Sequence, residues 1–433
     1  MKRIQHLAIT SAIILVVTIC LSARSADTVQ PHFFMPEIHA PEFPDRVYDI
    51  RDFGAIADGT SKNTEAFKKA ITKCSADGGG KVLVPAGEWL TGPIHLQSNV
   101  NLHVARDAVI KFSQDFDDYL PVVFVQRGGV RCYTYSPPVY AHRVENIAIT
   151  GEGTLDGQGQ VWWPWKKQQP GMVKLFEYGK QQVPVEQRVF GTVEDGVRPP
   201  FVHPIECKNV LIEGVTFKDG PSWNIHPVWC ENVIIRGITV IAHGPNNDGI
   251  DPDGCKNVLI EDCFLDVRDD NICLKSGRDE EAWAVGRPLE NVVVRNCTTG
   301  KGHGGIVIGS EMSAGVRNVF VSDCVFDGAD IGIRIKTRQG RGGVVENIMI
   351  QNITMRNIRR DAIHITMNYN GEPIERDMNY QERMVQSTDT PILRHFHIKN
   401  VKCESAEKAI QLFGLPPQPI SDVLLENVAI SAY

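Results

Sequence analysis

No Cys-x-x-Cys pair occurs among the 11 cysteines of this 433-residue chain, so no zinc spacing can be read from them. Gly/Ser-rich and Pro-rich linkers are missing as well, and nothing in the composition divides the chain in two. Positive charge is not in excess. The formal net charge of −7 argues against nucleic acid as a partner, and an anionic substrate would need locally placed cations. Only one long apolar stretch is present, Leu7 to Leu21, and Thr10, Ser11 and Thr18 interrupt it. A membrane span needs roughly 20 apolar residues, more than this run offers. Lys2 and Arg3 precede the run and small residues follow from Ser22 to Ala26, the layout of a secretory signal peptide. We therefore expect residues 1–25 to be a signal peptide and 26–433 a single domain. The mature protein is expected to be secreted or periplasmic, without membrane attachment, and monomeric.

What is present is a repeat. An Asn is followed by apolar residues one, three and six positions on, at Asn209, Asn232, Asn257, Asn291, Asn318 and Asn347, with weaker copies from Asn146 and Asn427. The copies lie two to three dozen residues apart, and their apolar residues alternate by two, not by 3.6. This predicts coils of a right-handed parallel β-helix, each burying its apolar side against the next. A second strand recurs in every coil and places Ile250, Ile272, Ile306, Ile333 and Ile363 on stacked inward positions. Neighbouring strands are about 4.8 Å apart, so equivalent residues of successive coils become spatial neighbours.

The ladder also interprets the cysteines. Cys263, Cys297 and Cys324 fall six residues after their Asn, where other coils carry Val215, Ile238 and Ile353; Cys207, Cys230 and Cys255 precede theirs by two. They are expected to be small core fillers, not disulfides. Ahead of the repeats, Asn63 to Cys74 reads as a short amphipathic helix, with Thr60 or Asn63 as N-cap, covering the open end of the solenoid.

Carboxylates gather where the second strand begins. Asp248 and Asp270 each lie two residues before their isoleucine; Asp269 and His303 lie three before theirs. The four should converge on one face. Arg334 and Lys336 alternate with Ile333 and Ile335 and should point out on that same face; Lys275 shares the position of Lys336. Glycosidic cleavage needs one protonated carboxyl for the leaving oxygen and a second carboxylate on the other side. Crowded like charges raise one carboxyl pKa, which supplies the acid. Any single Asp in such turns could simply cap backbone amides, and an Asp cluster could also cage calcium.

The set Asn246-Asn247-Asp248, Asp269-Asp270, Gly302-His303-Gly304 and Arg334-Ile335-Lys336 resembles, in order, the four signature motifs of the polygalacturonases, glycoside hydrolase family 28. Asp52-Phe53-Gly54-Ala55 and Val84-Pro85-Ala86-Gly87 resemble the family too, so the likeness spans nearly the whole mature chain. Asn247 departs from it, since many members have Thr there. The resemblance implies a pectin-lyase-like fold and hydrolysis of α-1,4-galacturonosyl linkages by single displacement with inversion. Asp269 would be the general acid, with Asp248 and Asp270 holding and deprotonating the water. His303 would maintain protonation and geometry, while Arg334, Lys336 and Tyr369 would bind substrate. No metal or organic cofactor is implied. The partner would be a pectic polysaccharide or oligogalacturonide.

Two insertions interrupt the early coils, Asp115 to Ala141 and Gln160 to about Val202, the second containing Trp162-Trp163-Pro164-Trp165. Their aromatics could pack on sugar rings or form a small core of their own. Loops that wall one end of a cleft leave a pocket for a terminal sugar, and these insertions resemble those of exo-acting bacterial and plant members. Exo-cleavage from the non-reducing end is therefore expected, with rhamnogalacturonan-derived oligomers as another substrate. The rival readings are calcium-dependent β-elimination, as in pectate lyases, and a carbohydrate-binding or adhesive β-helix without catalysis. Because Tyr433 falls within a repeat, further coils are expected beyond it.

Overall fold

The computed structural model describes residues 30–370, 389–416 and 418–433; the expected signal peptide lies outside them. Strands run parallel from coil to coil. Lys208–Glu213, Glu231–Arg236, Lys256–Glu261 and Leu289–Arg295 pair in sequence, and Val316–Asp327, Val344–Arg356, Ile392–Ala406 and Ser421–Ala432 continue the sheet. Val210, Val233, Val258, Val292, Val319 and Ile348 stack along its inner side, all buried. A second parallel sheet comprises Asp270–Leu274, Gly304–Ile308, Ile331–Lys336, Asp361–Thr366 and Lys408–Phe413. Its register aligns Ile272, Ile306, Ile333 and Ile363, and bridges extend that line back through Ile250 to Ile225. Full burial of each such side chain contributes about 1.5–3 kcal/mol. A one-residue slip would turn all of them outward, so the register is strongly specified.

The repeat Asn has a backbone reason. Asn209, Asn232, Asn257, Asn291, Asn318 and Asn347 all lie in the left-handed region, with φ between 54° and 59°. Asn tolerates that conformation better than other residues with a Cβ. Each amide nitrogen donates to the amide oxygen one coil back, at 2.9 to 3.2 Å, from Asn209 onto Asn146 through to Asn347 onto Asn318. Asn427 belongs elsewhere, contrary to its reading as a weak copy. It stacks on Asn400, and Asn400 on Asn352, so it follows a second ladder five residues along. In the two coils after Asn347 the first position is held by His395 and Asp422, also left-handed. Both ladders put an apolar residue one and three positions later, which is why the pattern alone did not separate them.

The ten cysteines among the described residues are all free and buried, as the core-filler reading expects. Helix α1 (Thr64–Ala76) packs Phe67, Ala70, Ile71 and Cys74 into the core at the N-terminal end. Asn63 sits at its N-cap but makes no side-chain cap bond; its amide instead ties down the backbone of Ile56, Ser61 and Leu90. Two further helices were not anticipated: α2 (Pro170–Lys180), within the second insertion, and α3 (Asp279–Val285), after the strand that carries Asp270. The first insertion contains a hairpin, Val123–Arg127 antiparallel to Val130–Thr134.

Candidate active site

Three successive coils deliver the acid–base groups. Gly302 has φ +143°, and a Cβ there would stand 2.6 Å from the carbonyl oxygen of Asp269, so only glycine permits this approach. The approach lets the His303 amide donate to that carbonyl at 2.8 Å and sets its Nδ1 3.0 Å from Asp269 Oδ1. Asn246, itself left-handed, donates to Asp269 Oδ2 at 3.3 Å. Burial pushes the Asp269 carboxyl up, but the hydrogen bond and charge of His303, then Lys336 and Lys275, bring it below the usual range. His303 moves the opposite way: its bond to Asp269 lifts it above 6.5 against the pull of burial. In the free site the proton of this pair therefore rests on the imidazole.

Asp270 points into the same cleft and accepts from Lys336 Nζ at 2.5 Å and Arg334 Nη1 at 3.3 Å. The Tyr369 ring stands 5.7 Å from the Arg334 guanidinium carbon and 5.2 Å from Lys336 Nζ. Asp248 lies deeper. Lys275, fully buried, reaches Asp248 at 3.5 Å, Asp251 at 3.4 Å and Glu311 at 3.5 Å. Burial, then the charges of Asp251 and Asp269, raises Asp248, with Lys275 opposing. A raised carboxyl is the more avid proton acceptor once ionised. Asn247 is structural: its buried amide donates to the carbonyls of Gly220 and Ser222 and accepts from the Gly244 amide.

These groups open into a cleft of about 520 Å³, lined also by Lys166, Trp223 and Arg268. The second insertion brings Lys166 to its wall. Trp162 and Trp165 do not face sugar; they are buried with Tyr119 and Tyr135 in a small separate core. Trp163 donates its indole N–H to the Gly220 carbonyl at 3.1 Å, fixing the short helix Trp163–Lys167 that carries Lys166. The wall is clasped to the coils by ions. Glu281 of α3 takes Arg131 at 2.5 Å and Arg188 at 3.0 Å, and Arg278 bonds both the Gly128 carbonyl and Glu311.

Every residue expected from the ladder, Asp248, Asp269, Asp270, His303, Arg334 and Lys336, lies at or within this cleft, and so does Tyr369, which only the family resemblance implied. Sequence reasoning missed Lys166, Trp223, Arg127, Arg198 and Glu311. Lys166, Arg127 and Arg198 belong to the insertions and have no ladder partner to mark them. Glu311 follows Ile308 by three and could have been noticed as an acid beside the coil position of Lys275. Among the described residues, two sets of ligand atoms could hold a cation: Asp269, Asp270 and His303, and behind them Asp248, Asp251 and Cys273. In the first, Arg334 and Lys336 already occupy Asp270; in the second, Lys275 contacts both carboxylates. Protein cations thus supply the positive charge a metal would bring.

Crowded carboxylates, a histidine and paired cations in an open cleft on a parallel β-helix define a glycoside hydrolase. The chain belongs to the glycosyl hydrolases family 28, whose model matches residues 190–432. It is 32% identical over 390 residues to a probable polygalacturonase of Vitis vinifera, covering 88% of this chain and 73% of that one. It is 27% identical to an exo-poly-alpha-D-galacturonosidase of Dickeya chrysanthemi, covering 75% of this chain but only 57% of that protein. Among solved structures, a hyperthermoactive exopolygalacturonase from Thermotoga maritima superposes with TM-score 0.83 at 42% identity, covering 90% and 87% of the two chains.

Proposed function

We propose that this protein hydrolyses α-1,4-galacturonosyl linkages of polygalacturonate with inversion, releasing galacturonate from the non-reducing end. The observation that carries the reading is the Asp269–His303 pair beside Asp270, Arg334 and Lys336 in one cleft. His303 passes its proton along the 3.0 Å bond to Asp269, which protonates the leaving oxygen. Asp270 orients a water and Asp248 takes its proton as the water attacks the anomeric carbon from the opposite face. Arg334 and Lys336 turn from Asp270 to the carboxylate of the sugar on the leaving side, a charge-assisted contact. The second insertion, which brings Lys166 to the cleft, supports the exo mode, because a loop at one end of a cleft favours a chain terminus there. The relatives and the superposed structure named above support the substrate. The basic and apolar N-terminus supports export, to the periplasm or beyond.

The test is product analysis on polygalacturonate with chelator present. Saturated galacturonate accumulating from the first minutes, with slow viscosity loss, is expected. Unsaturated, ultraviolet-absorbing products would mean elimination; mixed oligomers early on would mean endo-cleavage; binding without product would mean a lectin-like role.

A further inference from the structure

Coils stack in chain order, so Arg334 and Lys336 lie on the C-terminal side of the carboxylates. On the other side the insertions supply three more cations, Arg127, Lys166 and Arg198. Their surroundings are unusual. Arg198 is buried and bonds the carbonyls of Pro221 and Pro245 at 3.0 and 2.7 Å and Asn246 Oδ1 at 2.8 Å, all neutral groups. Its Nε has no partner, and neither does the Nε of buried Arg127, whose guanidinium lies 4.8 Å from the Trp223 ring. Lys166 is exposed on the cleft wall and has no carboxylate within ion-pair distance among the described residues. Burial, then the like charges of Arg127, lowers Arg198 to about 9, with Asp248 and Asp269 opposing. Although Lys166 is exposed, partial shielding of its ammonium by the wall, then the charges of Arg198 and Arg127, lowers it as well.

Buried cations without counter-ions are costly, and an anion arriving beside them relieves that cost. On the coil side both cations pair with Asp270; on the insertion side Lys166 lines the cleft with no ion pair among the described residues, and Arg127 and Arg198 are buried behind it with only more distant charges, Asp248 foremost, opposing theirs. A chain held across Asp269 puts one sugar on each side of the bond being cut. Each sugar of a polyuronate carries its own carboxylate.

We infer that the insertions build a second uronate clamp, in which Lys166 binds the carboxylate of the terminal sugar on the non-reducing side, so that cleavage requires an acidic sugar on both sides of the bond. The inference rests on the hydrolase reading above. Arg127 and Arg198 act from behind, supplying field; Arg198 also positions Asn246, which holds Asp269. Such a site would reject oligomers ending in a neutral sugar, including those whose terminal carboxyl is esterified.

The test compares wild type, Lys166→Met and Arg334→Ala on trigalacturonate and on the same trimer with its non-reducing-end carboxyl methyl-esterified. A charge-assisted contact is worth about 1.5–3 kcal/mol, roughly 10- to 100-fold. Lys166→Met should raise KM on trigalacturonate by about tenfold or more, with kcat and melting temperature little changed because Lys166 is exposed. Esterification should penalise the wild type and Arg334→Ala but add nothing to Lys166→Met. An unchanged KM in Lys166→Met, or an equal ester penalty in all three proteins, overturns the clamp while leaving the hydrolase reading intact. A wild type that releases no galacturonate from the unmodified trimer overturns both.

Discussion

The two sides of the cleft are built on different principles. On the coil side, Arg334 and Lys336 project from a regular strand, occupy strand positions that recur from coil to coil, and both pair with Asp270. On the insertion side, Arg127 ends a hairpin strand, Lys166 sits on a short helix beside a separate aromatic core and Arg198 lies in a loop, and no carboxylate among the described residues is paired with any of them. A stacked fold fixes groups cheaply where the repeat already runs. It fixes them elsewhere only by adding a second core and ion clasps such as Glu281 with Arg131 and Arg188. The difference teaches that the ladder supplies catalysis in common form, whereas the insertions hold surplus positive charge in a chain whose net charge is −7.

The largest effect should come from the centre the two sides share. Asp269→Asn removes the proton donor but neither cationic side, so kcat should fall by on the order of 10²–10⁴. Affinity for trigalacturonate and the melting temperature should stay near wild type, measured by calorimetry and thermal unfolding. Retention of more than a few per cent of turnover would sink Asp269 as the acid; collapse of affinity would show that the two sides do not bind independently of it.

Next is the ion that joins the sides. Lys275 touches Asp248 beneath the coils and Glu311, which in turn holds Arg278 against the insertion hairpin at Gly128. Lys275→Met leaves buried carboxylates without their cation, a change that costs about 3–5 kcal/mol in buried pairs. Denaturant unfolding should show a loss of that order. A midpoint indistinguishable from wild type would mean that the carboxylates simply take up protons and the sides are not joined through this lysine.

The same contrast explains what was legible beforehand. Period-two alternation and an Asn at fixed spacing gave the β-helix, and matching isoleucines from coil to coil brought Asp248, Asp269, Asp270 and His303 together without coordinates. Stacking turns sequence offset into distance, so ladder positions can be read directly. Asn427 was misplaced because two ladders five residues apart share one pattern. The insertions gave no offset to count. Their tryptophans could equally have been a sugar platform, and only packing against Tyr119 and Tyr135 decides for a core. Helix α2 went unread because Gly171 and Gly179 weaken the helical signal within it, although Pro170 stands at a favourable first position. Arg198 was illegible for a similar reason: its partners are backbone carbonyls brought close by the fold, not residues with a spacing of their own.

The smallest expected effect concerns pH, and it separates the proton's holder from its user. Burial raises Asp269, yet His303, Lys336 and Lys275 hold it below the 3.8 of a free carboxyl, while the bond to Asp269 holds His303 above 6.5. The signs are opposite. The depressed carboxyl contributes stability above 3.8, lost as pH falls through its folded value; the raised imidazole contributes below 6.5, lost as pH rises through its folded value. The pair thus stabilises most fully between 3.8 and 6.5, and only slightly, because the His303 side chain is 47% exposed and solvent screens it. Catalysis should report the pair more sharply than stability does. With His303 as proton holder, the alkaline limb of the kcat profile should lie above 6.5. In His303→Gln the acid must hold its own proton, so that limb should move down toward the carboxylate range. Near the acid optimum the variant should stay within about tenfold of wild type, the gap widening as pH rises. The cationic sides are untouched by the change, so KM at the acid optimum should hold. An alkaline limb that does not move in the variant would take the proton off His303 and return it to Asp269 alone.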